Sequence, residues 1–128
     1  MLLIRHTNEV PPRAAPNRTI RELVSGASGA HGVTLRVVEL LPASAQTPRR
    51  PHAHPDFEEL IYVLAGYGQI WADGALQAVG PGDAVLVPAG TLHATFNTSE
   101  EPLRLACFFP TPGGVDEVIL GEREVEGV

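Results

Sequence analysis

Short apolar runs, interrupted at even intervals by polar residues and turn formers, make up most of the chain. Val33, Leu35 and Val37 alternate with Thr34 and Arg36, Val85 and Val87 bracket Leu86, and Leu103, Leu105, Cys107 and Phe109 recur every second position. A period of two is the signature of a half-buried strand, and no stretch sustains the 3.6-residue period of a long helix. The clearest hairpin lies at residues 69–79, where Asp73 and Gly74 offer the two positive φ angles of a type I′ turn. Further turns are expected at residues 65–68, 80–83 and 88–90. With 13 Gly and 12 Pro acting as punctuation, the pattern predicts an all-β chain, an antiparallel sandwich or barrel in preference to a βαβ fold. Towards the ends the pattern weakens. Strands are expected around residues 2–5 and 20–24, separated by a PPRAAP segment that proline keeps irregular. Residues 113–128 read as a strand, a short helix or a frayed tail.

A chain of 128 residues suits one domain with one core, assigned here to residues 1–128. No apolar run is long enough to span a bilayer, and the opening MLLIR lacks the basic flank of a signal peptide, so the cytoplasm is the expected compartment and no membrane is expected as partner. A net charge of −6, with acids gathered at Asp116, Glu117, Glu122, Glu124 and Glu126, argues against nucleic acid as a partner. The lone Cys107 cannot form an internal disulfide, and its apolar strand makes an inert buried thiol the expected state.

Candidate chemistry sits in two stretches, HAHPDFEELIYVLAG at residues 52–66 and GDAVLVPAGTLHATFN at residues 82–97. In a strand His52 and His54 point to one side, Glu59 shares a face with Ile61 and Val63, and His93 shares one with Thr95 and Asn97. Three imidazoles and a carboxylate form a suitable shell for a divalent first-row metal. Buried without partners, four such groups would cost roughly 4–12 kcal/mol, comparable with the whole stability of about 5–15 kcal/mol expected of a domain. One divalent transition metal ion (Fe, Mn, Ni, Zn or Cu) removes that cost in one step, as a polar network would do less simply. Glu58 competes with Glu59 for the acidic position. Arg50 is a candidate anchor for a substrate anion if its strand runs on through Pro51, and a solvated loop residue otherwise. Tyr62, on the face of Leu60 and Leu64 opposite to Glu59, is expected at a sheet or subunit contact, and Trp71 is a second interface candidate. Alternation leaves the inward or outward sense of Arg36, Arg50, Leu76, Phe96, Arg104 and Phe108 open by one register step.

On these residues the chain resembles the cupin superfamily, whose motifs are G(X)5HXH(X)3,4E(X)6G and G(X)5PXG(X)2H(X)3N. Gly82, Pro88, Gly90, His93 and Asn97 match the second motif in full, over residues 82–97. His52, His54, Glu59 and Gly66 match the first, over residues 46–66, with Gln46 in place of its opening Gly. Only Glu59 stands seven residues before Gly66, which selects it over Glu58. The resemblance implies a double-stranded β-helix (jelly-roll) barrel with metal held by His52, His54, Glu59 and His93, and a homodimer. It also implies a mononuclear metal-dependent enzyme acting on an organic small-molecule substrate, dioxygenase-like as in quercetinase-type members, with Glu59 as a base once it loosens from the metal. Two alternatives stand beside it. One is a nonoxidative isomerase, lyase, cyclase or decarboxylase using the ion as a Lewis acid; the other is a noncatalytic binding or sensing protein.

Overall fold

The computed structural model describes residues 1–127. Eleven strands form two antiparallel sheets: β1 (Arg13–Ala15), β2 (Arg18–Val24), β3 (Thr34–Leu40), β4 (His52–Ala53), β5 (Glu59–Ala65), β6 (Gly68–Ala72), β7 (Ala75–Val79), β8 (Ala84–Val87), β9 (His93–Asn97), β10 (Leu103–Phe109) and β11 (Ile119–Leu120). The six-stranded sheet runs β1-β2-β3-β10-β5-β8 and the five-stranded sheet runs β11-β4-β9-β6-β7. This is the all-β antiparallel architecture expected from the alternation, in the jelly-roll form implied by the resemblance. Among the described residues no helix is long and apolar enough to cross a membrane.

The two-residue period decides which side chains fill the space between the sheets. On β5, Glu59, Ile61 and Val63 are buried while Leu60, Tyr62 and Leu64 are exposed, and on β10 Leu103, Leu105, Cys107 and Phe109 are all buried. Ile61, Val63 and these four β10 residues form one apolar cluster with Ile20, Val38, Leu40, Ile70, Val87 and Val115. The β6–β7 hairpin turns through Asp73 (φ 52°) and Gly74 (φ 79°), both left-handed as the Asp-Gly pair requires. Gly66, at φ 86°, is fixed by close approach as well: a Cβ there would lie 2.3 Å from the Pro102 carbonyl oxygen. Gln46 needs no such freedom. Its backbone is extended (φ −74°, ψ 141°), and its Nε2 donates to the Leu41 and Asn17 carbonyls at 2.8 and 3.2 Å, which explains why a non-glycine residue is tolerated where the motif has Gly.

Two expectations about the termini change, and a third, left between strand, helix and tail, resolves to a strand. Residues 2–5 form no strand; the N-terminus is exposed up to a 3₁₀ turn at Thr7–Glu9, because an apolar run without a neighbouring strand has nothing to pair with. The PPRAAP segment does contain a strand: β1 pairs with β2, Ala14 opposite Thr19, on the sheet edge where prolines lacking an N–H are tolerated. Residues 113–127 neither fray nor form a helix. Ile119 and Leu120 pair with Ala53 and His52, and Arg49 and Val125 form a further bridge, so this segment lies alongside the strand that carries His52.

Candidate metal centre

Two sheets and three strands bring the candidate ligands together. β4 and β9 are neighbours with His52 opposite His93, His54 follows β4 directly, and Glu59 opens β5 on the facing sheet. Each strand contributes its inward face, as the period of two demands. His52, His54, Glu59 and His93 each offer a ligand atom within 4.8 Å of the others'. Glu59 is 5 % exposed, His54 5 % and His93 2 %. Glu58, the competing carboxylate, faces solvent.

The contacts inside the cluster are incomplete. Glu59 Oε1 lies 3.1 Å from His93 Nε2 and 3.4 Å from His54 Nε2, but the second contact lacks hydrogen-bond geometry, and both ring nitrogens of His54 are buried without a partner. His93 Nδ1 meets the Thr91 carbonyl at 2.9 Å, and His54 is wedged between the rings of Phe57 and Phe109 at centroid distances of 5.4 and 5.0 Å. A cation coordinated by all four would engage one of the two unpaired His54 nitrogens together with the buried carboxylate beside it. On this observation the residues fit a divalent metal.

Electrostatics hold the donors in the forms that ligate. Burial, then the neighbouring His93 and Arg49, push His52 down to about 2, so its imidazole is neutral. Burial alone would raise the Glu59 carboxyl, but the adjacent His54 and His93 imidazoles outweigh it and hold the group well below the usual carboxylate range. Cys107 lies against Glu59, and burial first, then that carboxylate, pushes its thiol well above the ordinary value, consistent with the inert state expected of it.

His52, His54 and His93 also line a cavity of about 450 Å³ whose other walls are largely apolar, among them Ile20, Val38, Leu40, Ile61, Leu105 and Phe109. The register left open by alternation is resolved here. Arg36 points inward with Thr34, Val38 and Leu40, whereas Arg104 pairs on the outer face with Glu39 at 3.7 Å and Phe108 is 37 % exposed. Phe96 is buried beneath the C-terminal segment, where a Cβ on Gly127 would lie 3.0 Å from its own Cβ. Arg50 is at the cavity rim, exposed, with Nε donating to the Gly121 carbonyl. The arginine that is buried beside the cluster is its neighbour Arg49, 8 % exposed, with Nη2 3.2 Å from His52 Nδ1. Sequence reasoning missed it because Arg49 and Arg50 are adjacent, and only the bridge to Val125 fixes which of them turns in.

Comparison with known proteins bears on this geometry. The family model described as "Cupin domain" matches residues 36–109. An uncharacterized protein of Aquifex aeolicus is 34 % identical over 73 residues, which span 57 % of this chain and 60 % of that protein, so the matched part covers about three fifths of this curated relative. Among solved structures, the polyketide cyclase RemF from Streptomyces resistomycificus superposes with a TM-score of 0.77 at 26 % identity, covering 95 % of this chain and 89 % of that one. An uncharacterized conserved protein from Klebsiella pneumoniae with a double-stranded β-helix domain gives 0.74 at 18 % identity, covering 96 % and 100 %, a likeness of fold alone.

Proposed function

Because the chain belongs to the cupin domain family, we propose that it is a mononuclear metal-dependent enzyme acting on an organic small molecule held in its barrel. The observation that carries this reading is the convergence of four donor groups, three of them imidazoles lining an apolar cavity of about 450 Å³. On a metal that prefers five or six ligands, four protein donors leave one or two coordination positions open, and an open position distinguishes a working ion from a structural one. A divalent ion bound there would polarise a carbonyl, hydroxyl or carboxylate of the substrate as a Lewis acid. The protein's own part is enclosure and orientation: Ile20, Val38, Leu40, Leu105 and Phe109 exclude bulk water, and the His93–Thr91 contact fixes one imidazole. Glu59 is proposed as a ligand, and as a base only if it detaches, since in its present contacts its low proton affinity makes it a weak one.

Within this class the likeness to a polyketide cyclase, at 26 % identity over 95 % of the chain, favours nonoxidative chemistry over the dioxygenase reading. Two measurements test the proposal. Protein purified without a His tag or added metal is expected to carry close to one divalent ion per chain by elemental analysis, and product formation from small-molecule mixtures should vanish with a chelator. Stoichiometric ligand binding without product would replace the enzyme by a sensor, and oxygen uptake matching product would restore the dioxygenase. A Glu59→Gln protein that keeps both metal and full turnover would eliminate the base role.

A homodimer is part of the same reading. On the outer face of the six-stranded sheet, Leu35, Phe108, Leu60 and Leu86 are successive cross-strand neighbours on β3, β10, β5 and β8. Leu60, Leu86, Tyr62 and Leu64 are each at least 45 % exposed. A continuous apolar patch of this kind is uncommon on a monomer and suits a second copy of the chain. Leu60→Glu is therefore expected to convert a dimer into a monomer by light scattering after gel filtration, with unchanged circular dichroism; a wild-type protein that is monomeric at tens of micromolar (~10–50 μM, well above the Kd of a stable dimer) would end the idea.

A further inference from the structure

Four arginines reach the cavity, and their partners differ. Arg36 is neutralised: it donates to Asp116 at 3.0 and 3.1 Å and to Glu22 at 2.9 and 3.0 Å. Arg50 is exposed. Arg18 and Arg49 have no carboxylate within ion-pair distance among the described residues; Arg18 donates only to the Pro16 carbonyl at 2.6 Å, and Arg49 touches only His52 while its buried Nε has no partner. Both line the same cavity, and the charge of Arg18 is near enough to oppose that of Arg49. Arg49 is buried and Arg18 half-buried, and a buried guanidinium without an anion is among the costlier arrangements a protein can hold.

We propose that the cavity binds an organic carboxylate, its carboxyl group held between Arg49 and Arg18 beside His52 and its apolar body packed against Ile20, Val38, Leu40 and Leu105. A guanidinium fork matches a carboxylate with two parallel N–H donors, which a neutral carbonyl cannot equal. The cavity's volume is far more than a small inorganic anion fills, and its walls are apolar, so an organic body is favoured. The His52 contact points the same way. An imidazole that ligates a cation through Nε2 carries its proton on Nδ1, and Nδ1 then faces the Arg49 donor at 3.2 Å as a second donor. An acceptor oxygen beside the pair, receiving a hydrogen bond from each donor, resolves that conflict. Of the carboxylates at the cavity, Asp116 is taken up by Arg36 together with Glu22, and neither Glu59 nor Glu124 forms an ion pair with Arg18 or Arg49 among the described residues, so these two guanidiniums stay open to an anion. This inference deepens the enzyme reading, and depends on it for the statement that the carboxylate is turned over; the anion site itself rests on the arginines.

The test is calorimetric titration of wild-type, Arg49→Met and Arg18→Met proteins, each metal-free and loaded with cobalt(II), with benzoate, its neutral isostere benzamide, and inorganic phosphate. Arg18 makes no contact with the metal cluster, so its variant serves where Arg49→Met perturbs folding or His52. Wild-type protein is expected to bind benzoate about 10-fold or more tightly than benzamide, in one metal state or both, and more tightly than phosphate. That preference should collapse towards unity in the Arg18 variant while the cobalt absorption spectrum persists. Equal affinity for acid and amide in both metal states, or a preference that survives both substitutions, overturns the inference. Phosphate bound as tightly as benzoate overturns the organic class. Failure of the wild-type protein to take up cobalt counts against the enzyme reading alone, since the metal-free titrations still decide whether the arginines hold a carboxylate.

Discussion

Replacing His52 and His93 together with alanine is expected to abolish high-affinity metal binding while leaving the β-barrel folded. The two imidazoles face each other across β4 and β9 with ring centroids 4.4 Å apart, so the double substitution removes half of the four-donor set from one side. Loss of a hydrogen-bonded partner that merely orients a ligand costs about 10–100-fold in metal affinity, and loss of two ligands must exceed that. The remaining pair, His54 and Glu59, could still hold a metal weakly, as exposed sites do, but not through dialysis against a chelator. Stability should not fall in proportion. Both substitutions remove imidazoles from a polar cluster, and His93 carries its strand through backbone pairing with Ala72 as well as with His52. Elemental analysis after dialysis and far-ultraviolet circular dichroism are the measurements. Metal retained near one ion per chain in the double variant would show that the ion sits elsewhere.

How far this arrangement can be read from the sequence depends on the range of the contacts involved. The β6–β7 hairpin is local: Asp73 and Gly74 dictate its turn, and the alternation from Gly68 to Val79 fixes its strands. The cluster was legible because each ligand stands on a strand whose face its neighbours reveal, Glu59 with Ile61 and Val63, His93 with Thr95 and Asn97. What failed was long-range. Arg36 faces inward because Glu22 and Asp116, 14 and 80 positions away, pair with it there, and no local pattern contains that information. The same holds for Arg49, whose inward turn depends on Val125, and for the C-terminal segment, whose strand exists only because β4 offers Ala53 and His52 as partners. The opening Leu2, Leu3 and Ile4 show the converse: apolar residues of good strand propensity remain exposed where no edge receives them.

The same buried donors predict how stability changes with metal and with acid. Metal that binds the folded chain and not the unfolded one stabilises it by about 4 kcal/mol at a thousandfold excess over the dissociation constant. For a chain of this size that corresponds to a rise in Tm of roughly 10–20 °C. The metal-free protein should, in addition, weaken in acid. His52 titrates near 2 in the folded state, against about 6.5 when unfolded, so below pH 6.5 the unfolded chain takes up a proton that the folded chain refuses. Stability is then full above that pH and declines by up to about 1.4 kcal/mol per pH unit, or roughly 2–3 kcal/mol by pH 4.5. Glu59, held below its ordinary range, adds a loss of the same sign that starts only near the unfolded carboxylate value of about 4.3. Urea unfolding of the metal-free protein should therefore show midpoints that are level above neutrality, fall between pH 6.5 and 4.5, and fall more steeply beneath. With metal present the increment should shrink across the same interval, because protons compete for the imidazoles that ligate. A midpoint indifferent to pH between 7 and 5, together with identical melting in zinc, manganese and chelator, would mean that these imidazoles are neither sequestered from protons nor joined by an ion.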